Sequence, residues 1–130
     1  MSYLLDTSIL IAIEKKERHI LEKIRNLAGL DNHPPQISFI TYFEFLLGIK
    51  AKLSHNQERA LEFLDRFHCL KASRVTAEIM AGLKYRYEKN GMTIPLADLI
   101  IASQVKENNL TIITRDKIFS RIEEINRIIL

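Results

Sequence analysis

The chain of 130 residues is 47% hydrophobic and 27% charged and contains 4 glycines and 3 prolines. This composition is typical of one compact folded domain and excludes a disordered or fibrous chain. The formal net charge of +3 is too small to indicate nucleic-acid binding on its own.

Strand-like and helix-like patterns alternate from the start of the chain. Ser2–Leu5 predicts a short strand, which ends at Asp6–Ser8, three residues that are all favourable helix N-caps. Apolar residues at helical spacing then predict helices over about Ile9–Glu17 and Ile20–Ala28. The turn-forming residues of Asp31–Pro35 predict a loop.

The middle of the chain repeats this order. Gln36–Phe39 predicts a second strand, and Thr41 is expected to cap a helix that extends to about Lys52. Amphipathic spacing predicts another helix over Asn56–Phe67. A weak strand is predicted near Cys69–Lys71.

The last part of the chain predicts two longer helices and two strands. The helices are expected over about Val75–Lys89 and Pro95–Glu107, and the strands at Leu110–Thr114 and Arg127–Leu130. A short helical turn separates the two strands. Strands that alternate with helices predict an α/β fold, a three-layer α/β/α sandwich with a mostly parallel central sheet. We expect one domain over residues 1–130.

Targeting and redox features indicate the compartment. No basic segment precedes an apolar one at the N-terminus, so no signal peptide is expected. The longest apolar stretch, Leu96–Ala102, is too short to span a membrane and contains a charge. The single cysteine, Cys69, cannot form an internal disulfide. We therefore expect a cytoplasmic protein without a membrane partner.

Two acidic residues follow predicted strands directly. Asp6 comes after the first strand, and Asp116 comes just after Leu110–Thr114. In α/β folds, ligands bind beyond the carboxyl ends of the strands, where the strand order reverses. This rule selects two of the 16 acidic residues before any chemistry is considered.

Two further acids lie among apolar neighbours. On a helix, Glu44 shares one face with Ile40, Phe43 and Leu47, and Asp98 lies inside Leu96–Ala102. Burying an unpaired carboxylate is costly, so such a group is normally paired, protonated or bound to a metal ion. Together the four acids predict a shared site for Mg²⁺ or Mn²⁺, which prefer oxygen ligands.

Each acid also has a purely structural interpretation. Asp6 and Asp116 could serve only as helix caps, and Asp98 could be stabilised by the dipole at a helix start. Glu44 could pair with a buried cation. If all four are neutralised by metal, the other 12 acids face 19 basic residues, a balance that suits a polyphosphate substrate.

Four segments together resemble the motifs of PIN-domain nucleases, particularly the VapC toxins of prokaryotic toxin–antitoxin pairs. The segments are Tyr3–Leu10, Ile37–Gly48, Ile94–Ala102 and Leu110–Asp116. Their order and spacing match over essentially the whole chain. The resemblance implies a PIN fold, a divalent-metal endoribonuclease acting on RNA, a homodimer, and a cognate antitoxin bound in a groove.

The resemblance also implies roles for particular residues. Asp6, Glu44, Asp98 and Asp116 match the family's catalytic acids, and the metal ligands would be Asp6, Asp98 and Asp116. Glu44 would act either as a ligand through water or as the general base. The positions that match supporting hydroxyls are Thr7, Ser8 and Thr114.

The fourth motif departs from the family pattern. Many relatives have a further acid two residues after the position of Asp116, where this chain has Ile118, which leaves open whether one or two metal ions bind. Arg115 and Lys117 flank the aspartate and are candidates for contacts with RNA phosphates, although both could simply be solvated.

Three other classes of protein are alternatives to this hypothesis. A haloacid-dehalogenase-type phosphatase needs a second acid where this chain has Ser8. A phosphoacceptor receiver domain needs two adjacent acids after its first strand, and that pattern is missing. A catalytically inactive PIN-like module that binds RNA or protein remains an alternative. The four acids disfavour it, because a pure binder has no need to bury them.

Overall fold

The computed structural model describes residues 2–27 and 33–130. Within these ranges the strands are β1 (Tyr3–Leu5), β2 (Gln36–Ser38), β3 (His68–Leu70), β4 (Thr111–Thr114) and β5 (Asn126–Ile129). The helices are α1 (Thr7–Glu14), α2 (Arg18–Arg25), α3 (Phe39–Lys50), α4 (Ser54–Leu64), α5 (Arg74–Lys89) and α6 (Leu96–Glu107). A 3₁₀ turn, Lys117–Arg121, precedes β5.

The five described strands form one sheet in the order β3-β2-β1-β4-β5, and every neighbouring pair is parallel. The prediction of a mostly parallel α/β sheet is confirmed. Because the chain builds outward from β1 to β3 and then returns to β4 beside β1, the strand order reverses between β1 and β4. Ligands bind at such a reversal in α/β sheets.

Helices cover both faces of the sheet, so the predicted three-layer α/β/α arrangement is also confirmed. Alternate residues of a strand point to opposite faces. Leu4 and Ile112 belong to a core that contains residues of α5 and α6, whereas Leu5 and Ile113 belong to a core that contains residues of α1 to α4. Both faces are therefore apolar, which explains why these strands are continuously hydrophobic.

Helices α1, α2 and α4 each begin two residues before the predicted start, and the cap of α3 also differs from the prediction. Asp6 caps α1, so the helix begins at Thr7 rather than at Ile9. The prediction that Thr41 caps the third helix is wrong: the Ser38 hydroxyl accepts a hydrogen bond from Ile40 N at 3.2 Å, and Thr41 lies inside α3. Both polar residues are possible caps by type, and the end of the preceding strand selects the earlier one.

Two predicted segments are only partly comparable with the structure. The second helix was expected to reach Ala28, which lies outside the described residues, as do the first two residues of the predicted loop at Asp31–Pro35. The fourth helix ends at Leu64 rather than at Phe67, because Phe67 N donates to Leu64 O in a closing turn.

Over residues 2–27 and 33–130, no helix combines the length and the apolar character that crossing a membrane requires.

Candidate functional site

Asp6 lies at the carboxyl end of the central strand and is almost fully buried, with 5% of its surface exposed. Its Oδ1 accepts hydrogen bonds from Ser8 Oγ at 2.8 Å and from Ile9 N at 3.0 Å. Its Oδ2 accepts from the Thr114 hydroxyl. The carboxylate is thus both a helix cap and the acceptor for two of the three hydroxyls that the family resemblance implied as support, those of Ser8 and Thr114.

Asp116 is linked to Asp6 through Thr114. The Asp116 N–H donates to Thr114 Oγ1 at 2.9 Å, and this donor leaves the hydroxyl proton of Thr114 directed at Asp6. Asp116 is itself exposed and caps the 3₁₀ turn, since its Oδ1 accepts from Ile118 N at 3.0 Å. The Thr114 side chain therefore connects the ends of β1 and β4 at the point where the strand order reverses, beside the backbone hydrogen bond from Asp6 N to Ile113 O at 3.3 Å.

Glu44 is held by a pair of threonines. Thr7 Oγ1 donates to Glu44 Oε1 at 2.6 Å and lies 3.0 Å from Thr41 Oγ1. Because Thr7 has only one hydroxyl proton, which goes to Glu44, Thr41 must donate to Thr7. Glu44 Oε2 makes no hydrogen bond with the described residues. Thr41 was missed as a site residue, although its place one helical turn before Glu44 was the available signal.

The prediction that Glu44 lies on a buried apolar face is wrong. Phe43 and Leu47 are 55% and 61% exposed, and the buried residues of α3 are Thr41, Phe45 and Ile49. α3 is apolar on more than one side, so its spacing does not identify the face that packs against the sheet. Glu44 is half-buried at the edge of an exposed apolar surface.

Asp98 lies in the first turn of α6 and is half-buried. Its carboxylate makes no hydrogen bond or ion pair with the residues described by the structure. Burial and the nearby charges of Asp116, Asp6 and Glu44 raise the pKa of Asp98 from 3.8 to about 6. Of the four acids, this is the one whose negative charge is least compensated.

All four acids line one cavity of about 190 Å³, together with Thr7, Ser8, Ala97 and Ile101. Burial also raises the pKa of Asp6, against the lowering effect of its three hydrogen bonds, and the charge of Asp116 raises it further. No ion pair within residues 2–27 and 33–130 involves any of the four carboxylates. In the part of the chain that the structure describes, the cavity therefore concentrates negative charge without a paired cation to balance it.

This donor set suits a hard divalent cation, which binds carboxylate oxygens in preference to nitrogen or sulfur. The side chains as they lie are nevertheless not a preassembled metal cage: among the described residues, no three acidic, histidine or cysteine side chains are arranged to hold an ion. The carboxylate oxygens of the site are suitable ligands for a metal ion. The described side chains would have to turn before three of them could coordinate one ion.

The two basic candidates lie beside this cavity but do not line it. Arg115 is exposed, and its guanidinium donates to Ser8 O at 3.3 Å and to Glu17 Oε1 at 3.4 Å. Lys117 is exposed and makes no ion pair with the described residues. Both could contact a ligand that extends out of the cavity.

Comparison with known proteins places this arrangement in context. The PIN domain family model matches residues 3–125. Ribonuclease VapC2 of Rickettsia felis is 32% identical over 126 residues, which cover 94% of this chain and 92% of the relative.

Solved structures resemble the chain over its whole length. A chain of VapBC2 from Rickettsia felis, bound to a DNA fragment from its promoter, has a TM-score of 0.85 and 28% identity and covers 100% of this chain and 99% of its own. A chain of VapBC-1 from nontypeable Haemophilus influenzae has a TM-score of 0.84 and 29% identity, with coverage of 99% and 98%.

Proposed function

The chain belongs to the PIN-domain family, and from this membership we propose that it is a metal-dependent endoribonuclease, the toxin of a toxin–antitoxin pair. The observation that carries the proposal is the convergence of four carboxylates on one cavity at the reversal in strand order, with no cation of the described residues paired to any of them. The similarity to a VapC ribonuclease supports RNA as the substrate.

We infer that Asp6, Asp98 and Asp116 hold Mg²⁺ or Mn²⁺. When bound, such an ion lowers the pKa of a water molecule and offsets negative charge on the phosphate oxygens. Three hydrogen bonds fix Asp6 in place, whereas Asp98 makes none with residues 2–27 and 33–130 and can turn toward a cation. The raised pKa of Asp98 means that an ion must compete with a proton below about pH 6.

Glu44 is proposed either to accept a proton as the general base or to bind the ion through water. Thr7 occupies Oε1, so Oε2 remains available either to accept a proton from the attacking water or to reach an ion through water. The relay from Thr41 through Thr7 keeps the carboxylate in one orientation, which a general base requires. Arg115 and Lys117 are proposed to contact phosphates next to the cleaved bond.

A cleavage assay tests the proposal. Purified protein is incubated with RNA and Mg²⁺ or Mn²⁺ beside Asp6→Asn, Asp98→Asn and, as a matched control, Glu22→Gln, which removes an exposed acid from α2. We expect cutting by the parent and the control only, products with 5′-phosphate ends, and loss of activity in EDTA. Equal cutting by the two aspartate variants would overturn the assignment of the site. An inert parent that still binds RNA would instead favour a noncatalytic module.

The partner proposals are an antitoxin and a second copy of the chain. The similar chains from Rickettsia felis and Haemophilus influenzae come from VapBC complexes, which supports a cognate antitoxin here. Exposed Phe43 and Leu47 next to Glu44 support a homodimer, because an apolar surface of this kind is normally covered by protein. We also propose that the chain forms a single domain. A short gene for a DNA-binding protein immediately upstream would support the antitoxin assignment.

A further inference from the structure

A second cavity, of about 450 Å³, lies between the end of α1 and helix α4. None of its lining residues lines the carboxylate cavity. We call it the basic groove, because five cations line it against two carboxylates. The cations are Lys15, Lys16, Lys52, Arg59 and Arg66, and the carboxylates are Glu14 and Glu62.

Most of this positive charge is not neutralised within the protein. Lys52 Nζ lies 3.8 Å from Glu14 Oε1. No ion pair or side-chain hydrogen bond among residues 2–27 and 33–130 involves the other four cations, and all four are exposed. Unpaired like charges repel one another, so their collection in one concave surface favours the binding of an anion.

The end of α1 fixes the backbone at Lys16, one of the groove cations. Lys16 has φ 57°, in the left-handed region where glycine and asparagine are favoured over lysine. Its N–H donates to Ile13 O and the next residue's N–H donates to Ala12 O, both at 3.0 Å, so the turn is held firmly. These are the usual closing hydrogen bonds of a helix C-terminus, and they hold the Lys16 backbone in one position at the edge of the groove.

Arg115 connects the basic groove with the carboxylate cavity. It donates to Ser8 O, in a residue that lines the carboxylate cavity, and to Glu17, which follows Lys16 of the groove. Helix α1 extends from Asp6 as N-cap to Lys15 as C-cap, so the two sites are separated by about 13 Å. A chain of phosphates could run from one to the other past the guanidinium.

We propose that the basic groove binds phosphates of the single-stranded RNA substrate several nucleotides away from the cleaved bond. The inference rests on the proposed function, since it extends the same substrate along the surface. An acidic peptide is disfavoured because partner segments are anchored mainly by apolar contacts. The apolar residues that line the groove, Ala60 and Phe63, already pack in the protein core.

The test compares two variants that lose the same charge. The groove variant is Lys15→Gln/Lys16→Asn/Arg59→Gln, in which asparagine tolerates the left-handed backbone of position 16. The control variant is Lys71→Gln/Arg74→Gln/Lys89→Gln, which removes three exposed cations at or near α5. For each protein, kcat/KM is measured on a trinucleotide and on an RNA of about 16 nucleotides, over a range of salt concentrations.

Loss of three phosphate contacts should reduce the magnitude of the slope of log kcat/KM against log salt concentration by about 2. It should also lower kcat/KM at about 0.1 M salt on the order of 100-fold. This loss is expected for the groove variant on the long RNA only, with cleavage of the trinucleotide unchanged. Equal losses in the control variant, or on the trinucleotide, overturn the proposal. Undiminished cleavage of the long RNA by the groove variant, together with loss of antitoxin binding, also overturns the proposal. A parent that cuts neither RNA overturns the proposed function, and this inference with it.

Discussion

Replacing Asp98 by asparagine should stabilise the protein when no metal ion is present. Burial disfavours the charged form of this carboxylate, which is also repelled by Asp116, Asp6 and Glu44 and has no favourable partner among the described residues. Its pKa is raised from 3.8 to about 6, so the folded state holds a proton that the unfolded state releases. The resulting stability is present at low pH and is lost as pH rises through this interval.

The size of the effect follows from the shift. At about 1.4 kcal/mol per pKa unit, the full shift corresponds to about 3 kcal/mol. Asp98 is only half-buried, and solvent screening reduces this to about 1.5 kcal/mol. For a chain of this length, Asp98→Asn should therefore raise the Tm by about 5 °C near neutral pH in EDTA.

Thermal unfolding followed by circular dichroism measures this difference. The gain should shrink as the pH is lowered toward about 4, where the parent also carries the proton. At an Mn²⁺ concentration about 100 times its Kd, the parent should gain about 2.7 kcal/mol of stability and Asp98→Asn much less, which reverses the order. Glu22→Gln serves as the control, since it removes an exposed acid that does not line the cavity.

Two results would refute this reasoning. If Asp98→Asn is no more stable than the parent in EDTA, then neither burial nor the neighbouring carboxylates destabilise the charged form of Asp98. If Mn²⁺ stabilises both proteins equally, then Asp98 is not a metal ligand.

Three further changes have defined outcomes. Thr114→Val leaves the buried Asp6 oxygen without its donor and should lower the free energy of unfolding in urea by about 2 kcal/mol, and Thr114→Ser should recover most of this loss. Equal stability of all three proteins would show that the hydrogen bond from Thr114 to Asp6 is unimportant for folding. Thr7→Val removes the hydrogen bond to Glu44 and should lower kcat about tenfold with little change in KM, and an unchanged kcat would show that this orientation is unimportant. Leu47→Glu should convert a dimer to a monomer in analytical ultracentrifugation, while a monomeric parent would rule out the proposed dimer.

The alternation of strands and helices was enough to predict the parallel α/β sheet and the place of two acids. Asp6 follows β1 directly and Asp116 follows β4 after one residue, and the carboxyl ends of parallel strands meet at one edge. These features depend on local sequence and on a general property of the fold, so predicting them needed no knowledge of packing. The supporting hydroxyls of Thr7, Ser8 and Thr114 were implied by the family resemblance, and all three make hydrogen bonds with the acids.

Features that depend on which side of a helix packs against the sheet were not available in this way. α3 has apolar residues around most of its circumference, and only the packed sheet shows that Phe45 is buried while Phe43 is exposed. The same packing brings Thr41 next to Thr7, 34 positions earlier in the chain.

The apolar strands and the places of Asp6 and Asp116 near the strand ends could thus be predicted from the order of residues, because each depends on near neighbours in the chain. The uncompensated charge of Asp98 and the basic groove between α1 and α4 arise from residues distant in sequence. Their chemistry is set by distances that exist only after the helices have packed on the sheet, since electrostatic interactions depend on separation in space and on burial.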